Sequence, residues 1–534
     1  MNIKQSLWAV LVFGISIQVS AQDPIAQKYA GVISPKLGKK HLKVLSSDKF
    51  EGRETGKAGG QKAAEYIAGE FKKLGLVAPV NGSYFQEVPL VETAFDVNSF
   101  SVNGTNLTIG KDFIFTGSGA SKTINANDIV FAGYGITSEN YDDLKNVDLQ
   151  GKVVMLINKG EPMANGLSVI SKTATPSDWT TSRTKKLQNI MSKGPSLILA
   201  VSPDVNNSLK QYRPASGRLS LKKANMTPST RSGSTAIVYI TPEVANLILK
   251  NSGKTFDALK SSIDNSGTAQ TQTLNSVVAM NYGPALKDVR SVNVLGYLEG
   301  SDLKSEVLVF SAHYDHIGLT TDGGKDKVNN GADDDGSGTT GVLEIARAYA
   351  KAKKDGHGPR RSILFLLVTG EEKGLLGSEW YSENPVFPMA NTVTDLNIDM
   401  IGRVGEEYKG SVDSANYCYL IGSDKLSTEL HKISENANSI YTKLKIDYKY
   451  NDPKDPERIY YRSDHYNFAK HGVPIVFYFN GVHEDYHKPT DEFKKINFDL
   501  LTKRAQLVFY TGWDLANRNT RPVVDVTNNM PNSR

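Results

Sequence analysis

Short apolar runs alternate with helix-like segments in the last part of the chain, from about residue 290. The strand-like runs are SVNVLGYLEG, EVLVFSAH, SILFLLVT, TDLNIDM and VPIVFYF. Segments with helical periodicity, such as GTTGVLEIARAYAKA and LLTKRAQLVFYTGWDLANR, lie between and after them. Continuously apolar strands indicate a sheet that is covered on both faces. Because the strands alternate with helices, we predict an α/β fold with a mainly parallel sheet sandwiched by helices.

Two other patterns precede this region. Apolar residues recur at helical spacing over about 59–74 and predict an amphipathic helix there. From about residue 120, the runs NDIVFAGYGI, GKVVMLI, SLILAVS and TAIVYI are typical of strands. Since 534 residues exceed one typical core, we expect two domains. A smaller, β-rich α/β domain over 119–284 is inserted into a larger one formed by 22–118 and 285–518, and 519–534 form a polar tail.

The first 21 residues have the pattern of a secretory signal. Lys4 supplies the positive start, Leu7 to Val19 form a mostly apolar stretch, and small residues follow at Ser20 and Ala21. The alternative is an N-terminal membrane anchor. No other run reaches 18 apolar residues, so we expect an exported protein, periplasmic or extracellular, without a membrane span in its mature form.

Composition restricts the chemistry of any site. The hydrophobic fraction of 39% and charged fraction of 22% are those of an ordinary globular protein. A net charge of +5 over this length is too weak to favour nucleic acid as a partner. The single cysteine, Cys418, excludes an internal disulfide and cysteine-based zinc modules. A metal site here must therefore use His, Asp and Glu.

Candidate ligands follow the apolar strands of the last region. They are His313 and Asp315, then Glu371 and Glu372, then Asp399, and finally His483 and His487. Loops at the carboxyl ends of parallel strands converge on one crevice. A glycine-rich turn with Asp333, Asp334 and Asp335 precedes a helix and adds to this set. Each motif alone is typical of a solvated turn or a charged helix cap, but acids at every strand exit require positive charge nearby.

Histidines with several carboxylates are suited to Zn, Mn or Co. Two His and three carboxylates are more than one tetrahedral catalytic zinc needs. One carboxylate that bridges two ions would use the set economically, and two metals about 3.5–4 Å apart are a common arrangement for hydrolysis. One acid then remains as a general base, and Glu371 and Glu372 could divide these roles.

The motifs HYDH, GADDDGSG, GEEKGLLGS, NIDMIG and YHKPTDEF, in this order, resemble the co-catalytic zinc aminopeptidase family. That family also includes glutamate carboxypeptidase and the non-enzymatic transferrin receptor. The resemblance covers roughly 35–115 and 290–515 and implies a role for each residue. It assigns one metal site to His313 and Asp399, the other to Glu372 and His487, the bridge to Asp334, the general base to Glu371, and the orientation of the His313 ring to Asp315.

Further residues follow from looser parts of the resemblance. The segment RSDHYNF matches a family segment near the site, and the resemblance implies that Tyr460 or Tyr461, just before it, reaches the reacting carbonyl. His483 lies four residues before His487 and is a candidate for the pocket wall. The other histidines, His316 among them, are interpreted as surface or packing residues. The stretch over about 119–284 resembles the protease-associated domain that is often inserted in these enzymes.

The resemblance implies a secreted aminopeptidase with two Zn²⁺ per chain, for which Mn or Co could substitute. It would hydrolyse the N-terminal bond of peptide substrates with metal-activated water and Glu371 as the base. Carboxypeptidase or dipeptidase action at the same site is an alternative. A metal-free binding protein of the transferrin-receptor type is another. Glutaminyl cyclases share the family fold, but the single-zinc enzymes do not use all five ligands, so His313 and Asp399 argue against that chemistry.

Overall fold

The computed structural model describes residues 22–182, 184–210, 212, 217–224, 233–320 and 324–530. The predicted signal segment, 1–21, lies outside the described residues. The chain forms two compact units. Among the described residues, the first unit contains 22–89 and those from Arg290 onwards, and the second unit contains those within Leu90–Val289. Among the described residues, no helix combines the length and the apolar character that crossing a bilayer requires.

The structure contains these helices and strands in chain order. The α-helices are α1 (Pro24–Ala30), α2 (Pro35–Leu45), α3 (Ala58–Lys73), α4 (Asp178–Thr181), α5 (Lys185–Met191), α6 (Val205–Lys210), α7 (Pro242–Leu249), α8 (Phe256–Ser266), α9 (Gly336–Lys354), α10 (Leu376–Glu383), α11 (Thr428–Ala437), α12 (His465–Lys470) and α13 (Phe498–Asn517). The strands are β1 (Phe85–Val102), β2 (Thr105–Asn106), β3 (Phe113–Thr116), β4 (Lys122–Phe131), β5 (Val153–Ile157), β6 (Met163–Ala164), β7 (Leu167–Ser168), β8 (Leu197–Val201), β9 (Arg218–Leu221), β10 (Ala236–Ile240), β11 (Gln272–Leu298), β12 (Leu303–His313), β13 (Arg361–Val368), β14 (Thr392–Ile398), β15 (Tyr417–Ile421), β16 (Lys445–Asp447) and β17 (Ile475–Phe479).

The sheet of the first unit is mainly parallel, as predicted. Its strands lie in the order β16, β15, β17, β14, β12, β13 and the last part of β11. β12 pairs in parallel with β13 and with β14, and β14 pairs in parallel with β17. Among the described neighbours in this order, β15 with β17 and β11 with β13 are the antiparallel pairs. The carboxyl ends of the four central strands therefore lie along one edge.

Both faces of this sheet are covered by helices. Along β12, Leu308 and Phe310 are buried in the core on the face of α1, α2, α3, α9, α11 and α13, whereas Val307 and Val309 are buried on the face of α10 and α12. The side chains of β13 alternate between the same two cores. Because successive side chains point to opposite faces, a strand covered on both sides must be apolar throughout. This explains the unbroken apolar runs in the sequence.

Helix α9 positions part of the site. It begins after Asp335, whose carboxylate accepts a hydrogen bond of 2.8 Å from the backbone N–H of Gly338 and so caps the first turn. The predicted amphipathic helix over 59–74 is present as α3, with Ile67 and Phe71 fully buried against the same core.

The strands and helices of the second unit pack on cores of their own. Its strands lie in the order β11 (first part), β4, β5, β8, β10 and β3, and β4, β5, β8 and β10 are parallel neighbours. The predicted insert, 119–284, lies inside this unit. Residues 90–118 also belong to it, because β3 pairs with β10 and Phe100, Val102 and Phe113 are buried in its core. The resemblance of this stretch to a protease-associated domain stays a prediction.

The predicted polar tail is anchored over its described part, 519–530. This segment has no helix or strand, but its side chains make specific contacts. The Asp525 carboxylate accepts a hydrogen bond of 2.8 Å from the N–H of Thr428 at the start of α11, and Met530 is buried. The tail is therefore part of the folded unit, because these contacts satisfy a helix end and bury apolar surface.

We predict that Phe310→Ala destabilises the first unit strongly. The Phe310 ring is completely buried and lies against Phe365 and Tyr349 at ring-centroid distances of 5.7 Å. Loss of such a ring leaves a cavity, so the free energy of unfolding should fall by about 3–5 kcal/mol. Thermal unfolding followed by calorimetry measures the effect. Val412→Ala is the matched control, since Val412 is 99% exposed and its truncation should change little. Equal unfolding temperatures for the two variants would contradict the assignment.

Candidate metal centre

The predicted ligands at the strand exits come together at one edge of the sheet. His313 is the last residue of β12, and Asp399 follows the end of β14. The Nε2 atom of His313 lies 3.3 Å from Asp334 Oδ1 and 3.6 Å from Asp399 Oδ1. These three side chains form a group that could hold a metal ion.

A second group shares Asp334 with the first. His487 Nε2 lies 3.1 Å from Asp334 Oδ2 and 3.1 Å from Glu372 Oε2. The two oxygens of the Asp334 carboxylate are thus divided, with Oδ1 facing His313 and Oδ2 facing His487. This is the geometry that a bridging carboxylate requires, and it brings together all five residues for which ligand roles were predicted.

His316 also belongs to the second group, which corrects its interpretation as a surface or packing residue. Its side chain is fully buried, and its Nδ1 atom lies 2.7 Å from Glu372 Oε1 and 3.6 Å from Asp334 Oδ2. His316, Asp334 and Glu372 form a group that could hold a metal ion. The signal in the sequence that could have identified His316 is its position, because it lies three residues after His313 in the loop that follows β12.

Several buried atoms at the centre have no hydrogen-bond partner among the described residues. They are His313 Nε2, His316 Nδ1 and Nε2, Asp334 Oδ2 and Glu372 Oε1. Buried polar atoms are rarely left unpaired in native proteins. Imidazole nitrogens and carboxylate oxygens are the donor atoms that zinc and similar divalent ions bind. The donor set therefore fits a pair of divalent cations.

The electrostatics of the centre lead to the same conclusion. Burial raises the pKa of Glu371 well above its usual value, and the neighbouring carboxylates of Glu372 and Asp399 add to the rise. Although burial opposes it, the carboxylates of Asp399 and Glu371 raise the pKa of His313. So many acids cannot all ionise in a buried site without positive charge. Bound cations would supply that charge.

The three consecutive aspartates have different tasks. Asp333 accepts a hydrogen bond of 2.7 Å from the N–H of Gly402 and lies 3.1 Å from His483 Nε2. Asp335 caps α9 and also accepts from the N–H of Met400 at 3.0 Å. Only Asp334 is directed at the metal groups. The outer two aspartates join the turn to the loop after β14.

Arg53 fixes the turn that carries Asp334. The residue is 1% exposed, and its guanidinium donates to the backbone carbonyl oxygens of Tyr314 at 2.8 Å, Leu45 at 2.9 Å, Asn330 at 2.7 Å and Gly331 at 2.8 Å. Gly331 has a φ of 55°, and a Cβ there would lie 2.5 Å from the His316 ring. Glycine is needed because the turn passes so close to that ring.

Asp315 supports Glu371 rather than the His313 ring alone. The His313 Nδ1 atom is 3.1 Å from the backbone oxygen of Asp315 and 3.8 Å from its carboxylate. That carboxylate accepts hydrogen bonds from the Thr55 hydroxyl at 2.7 Å and from the N–H of Glu371 at 3.2 Å. Asp315 is completely buried and does not reach the cavity, so it is a positioning residue.

The three residues predicted to bind substrate have different positions. Tyr461 lines a cavity together with Glu371 and Glu372. Tyr460 is 1% exposed, and its hydroxyl accepts a hydrogen bond of 2.9 Å from Asn528, so it does not face this cavity. His483 is also buried and paired with Asp333, which excludes it from the pocket wall. Neighbouring residues point in different directions, and the sequence pattern could not choose between Tyr460 and Tyr461.

Tyr486 is a pocket residue that the sequence analysis missed. Its ring stacks on that of His487, with centroids 3.9 Å apart and planes at 20°. It also lines the cavity beside Glu371 and Glu372. Since His487 is 36% exposed at its side chain, the Tyr486 ring limits the orientations that the imidazole can adopt.

The chain is similar to known proteins over part of its length. Residues 293–512 match the sequence model of Peptidase family M28. Aminopeptidase YwaD of Bacillus subtilis (strain 168) is 24% identical over 269 residues, which is 48% of this chain and 51% of that protein. Leupeptin-inactivating enzyme 1 of Streptomyces exfoliatus is 27% identical over 281 residues, 48% of this chain and 54% of that protein. The chain spans about half the length of these curated relatives.

A solved structure aligns with a larger part of this chain than these relatives do. An aminopeptidase from Aneurinibacillus sp. strain AM-1 is 18% identical, with 95% of this chain and 100% of that chain covered and a TM-score of 0.47. The matched segment, 293–512, contains all five predicted ligands.

We predict that Asp334→Asn lowers the metal content of the protein. The substitution removes the negative charge of the carboxylate that both groups share. Loss of a residue that only supports a ligand lowers metal affinity by about 10–100-fold, and loss of the shared ligand's charge should lower it further. Elemental analysis after dialysis, with chelator competition for affinity, measures this. Asp257→Asn, at an exposed position in α8, is the control that should retain the metal. Unchanged metal content in Asp334→Asn would count against the bridge.

We predict that His316→Gln also weakens metal retention, by about 10-fold or more. Glutamine keeps a polar side chain but lacks the imidazole nitrogen beside Glu372. The readout is again metal bound per chain against a competing chelator. His431→Gln is the control, because His431 is half-buried and its Nδ1 contacts the Ser423 hydroxyl away from the centre. Equal metal affinities in the two variants would make His316 a packing residue after all.

Proposed function

We propose that this protein is a zinc-dependent aminopeptidase that holds two zinc ions and removes residues from the N-terminus of peptides. The observation that carries the proposal is the divided carboxylate of Asp334, with one imidazole–carboxylate group on each of its oxygens. Its setting in the segment that matches Peptidase family M28 supports hydrolysis as the reaction.

The ligand roles follow from the two groups. His313 and Asp399 would hold one ion, Glu372, His487 and His316 the other, and Asp334 both. When bound, such a pair supplies Lewis acidity and lowers the pKa of water to about 7. Aminopeptidase YwaD supports this choice of reaction, and a relative from Pyrenophora tritici-repentis (strain Pt-1C-BFP), 26% identical over 265 residues and described as a probable zinc metalloprotease, supports this choice of metal.

Glu371 remains as the general base. It adjoins Glu372, lines the cavity, and its Oε2 atom lies 3.9 Å from His313 Nε2. The hydrogen bond from its N–H to Asp315 fixes the backbone at this point. In the proposed reaction, Glu371 accepts the proton of the attacking water and then donates it to the leaving amine. Tyr461, on the same cavity, is the candidate donor to the carbonyl oxygen.

Exopeptidase action is supported by the surroundings of Asp399. A small pocket there has an apolar wall formed by Met400, Ile459, Phe477, Phe479 and Val482. Asp399 and Glu371 line the same pocket and could accept hydrogen bonds from a free α-amine. An N-terminal residue with an apolar side chain would satisfy both features.

Export of the enzyme is part of the same proposal and rests on the sequence of residues 1–21.

A metal-free binding protein is the competing class. It would need no ligands, yet the five predicted ligand side chains lie within contact of one another. Release of p-nitroaniline from leucine p-nitroanilide, its loss with a chelator and its recovery with zinc separate the two classes. No hydrolysis of any amino-acid nitroanilide by the zinc-loaded protein would overturn the proposal.

We predict that Glu371→Gln keeps the metal but loses turnover. The amide has nearly the same shape but cannot accept a proton, so kcat should fall by about 100-fold to 10,000-fold. Leucine p-nitroanilide hydrolysis and elemental analysis on the same preparation measure both properties.

The matched control is Glu383→Gln, at an exposed position of α10 whose carboxylate lies 3.4 Å from His471. It should keep both metal and activity. Most of the activity remaining in Glu371→Gln would remove Glu371 from the role of base, and loss of metal from it would assign Glu371 to the ligands instead.

A further inference from the structure

The cavity beside Glu371 has two cationic residues in its wall. It has a volume of about 310 Å³ and is lined by Glu371 and Glu372 on one side and by Arg458, Tyr461, Arg462 and Tyr486 on the other. Neither arginine was singled out by the sequence analysis, and neither can be a metal ligand, since a guanidinium has only donors. The arginines therefore serve something other than the metals.

Both guanidinium groups are held against aromatic rings. The Cζ atom of Arg458 lies 4.8 Å from the centroid of the Tyr461 ring, and that of Arg462 lies 5.9 Å from the Tyr486 ring. Arg462 Nη2 also donates to the Tyr486 hydroxyl at 3.2 Å. Contact with a ring face holds the guanidinium in place.

The backbone that carries Arg458 is also fixed. Arg458 has a φ of 54°, in the left-handed region that is unfavourable for a side chain of this size. The buried carboxylate of Asp455 holds the turn, because it accepts hydrogen bonds from the N–H of Glu457 at 3.0 Å and of Ile459 at 2.9 Å. The turn thus directs an exposed cation to a defined place beside the general base.

Arg462 forms no ion pair with a carboxylate within the described part of the chain, although acids crowd the neighbouring metal centre. Glu371 and Glu372 line the cavity together with Arg462, which also borders the small pocket at Asp399. A guanidinium in a partly enclosed pocket binds a planar carboxylate through two parallel hydrogen bonds. A substrate whose carbonyl lies at the metals and whose carboxylate reaches Arg458 and Arg462 would fill this cavity.

We propose that Arg458 and Arg462 bind a carboxylate of the substrate next to the scissile bond, so that the enzyme prefers short peptides that carry an acidic group there. The inference rests on the proposed peptidase function. Two sources share this chemistry, namely the free C-terminus of a dipeptide and the side chain of an acidic residue. The apolar pocket at Asp399 would take the other side of the same substrate.

The test compares substrates that differ only in this group. Leu-Leu against its C-terminal amide examines the free C-terminus. Leu-Glu-amide against Leu-Gln-amide, and glutamyl against glutaminyl p-nitroanilide, examine the acidic side chain on either side of the bond. We expect kcat/KM to be about 10-fold higher for the acidic member of at least one pair, mainly through KM. The pair that shows the preference identifies the source of the carboxylate.

Substitution of the arginines must remove this preference. In Arg458→Gln and Arg462→Gln the ratio within the preferred pair should fall towards one, and Arg458→Lys should restore only part of it, because lysine lacks the planar fork. Arg521→Gln is the matched control, since Arg521 donates to the backbone oxygens of Ala390 and Thr392 and does not line the cavity, and this variant should keep the full ratio.

The possible outcomes distinguish the two proposals. Hydrolysis of leucine p-nitroanilide together with equal rates within all three pairs would overturn the carboxylate pocket and leave the peptidase intact. The same holds for a preference that survives both arginine substitutions. Absence of hydrolysis for every substrate would overturn the peptidase itself.

Discussion

The concentration of acidic side chains at one buried edge of a sheet is the constraint on which the rest of this structure depends. The acids are Asp315, Asp334, Glu371, Glu372 and Asp399. Buried carboxylates are unfavourable unless positive charge or hydrogen-bond donors meet them. The protein supplies imidazoles, backbone N–H groups and the guanidinium of Arg53, and it leaves the remaining donor atoms directed at places where cations would lie. The parallel topology is what brings these acids together, since each follows the same end of a strand or precedes a helix there.

Most of the first unit could be predicted from the sequence because its signals are local. Strands such as β12 and β13 are apolar at every position, and α3 and α13 show helical periodicity, so each element is recognisable without its partners. The boundary between the two units was harder to predict from the sequence. Residues 90–118 join the second unit through the pairing of β3 with β10, a contact between segments far apart in the chain. Local patterning contains no information about such a pairing.

The candidate site also contains residues that could be predicted from the sequence and residues that could not. The five ligand positions were recognisable because acids and histidines directly after apolar strands are unusual, and the structure brings them within contact. Roles that depend on the direction of a side chain could not be recognised from the sequence. His316 and His483 have similar sequence surroundings, yet one reaches Glu372 and the other turns to Asp333. Tyr460 and Tyr461 are adjacent, and only the fold decides which lines the cavity.

The contacts of Arg53 have a consequence for how the chain acquires its structure. The guanidinium and the carbonyl oxygen of Asn330 are 277 residues apart in sequence, and the second unit is synthesised between them. The chain loses conformational entropy when so large a loop closes, and this loss comes before the contact stabilises the structure. Contacts of this kind are therefore slow to form. Until the turn at 330–334 has formed and docked, Arg53 lacks its acceptors at Asn330 and Gly331. The edge that carries the candidate metal centre is therefore complete only when the N-terminal segment has docked on it.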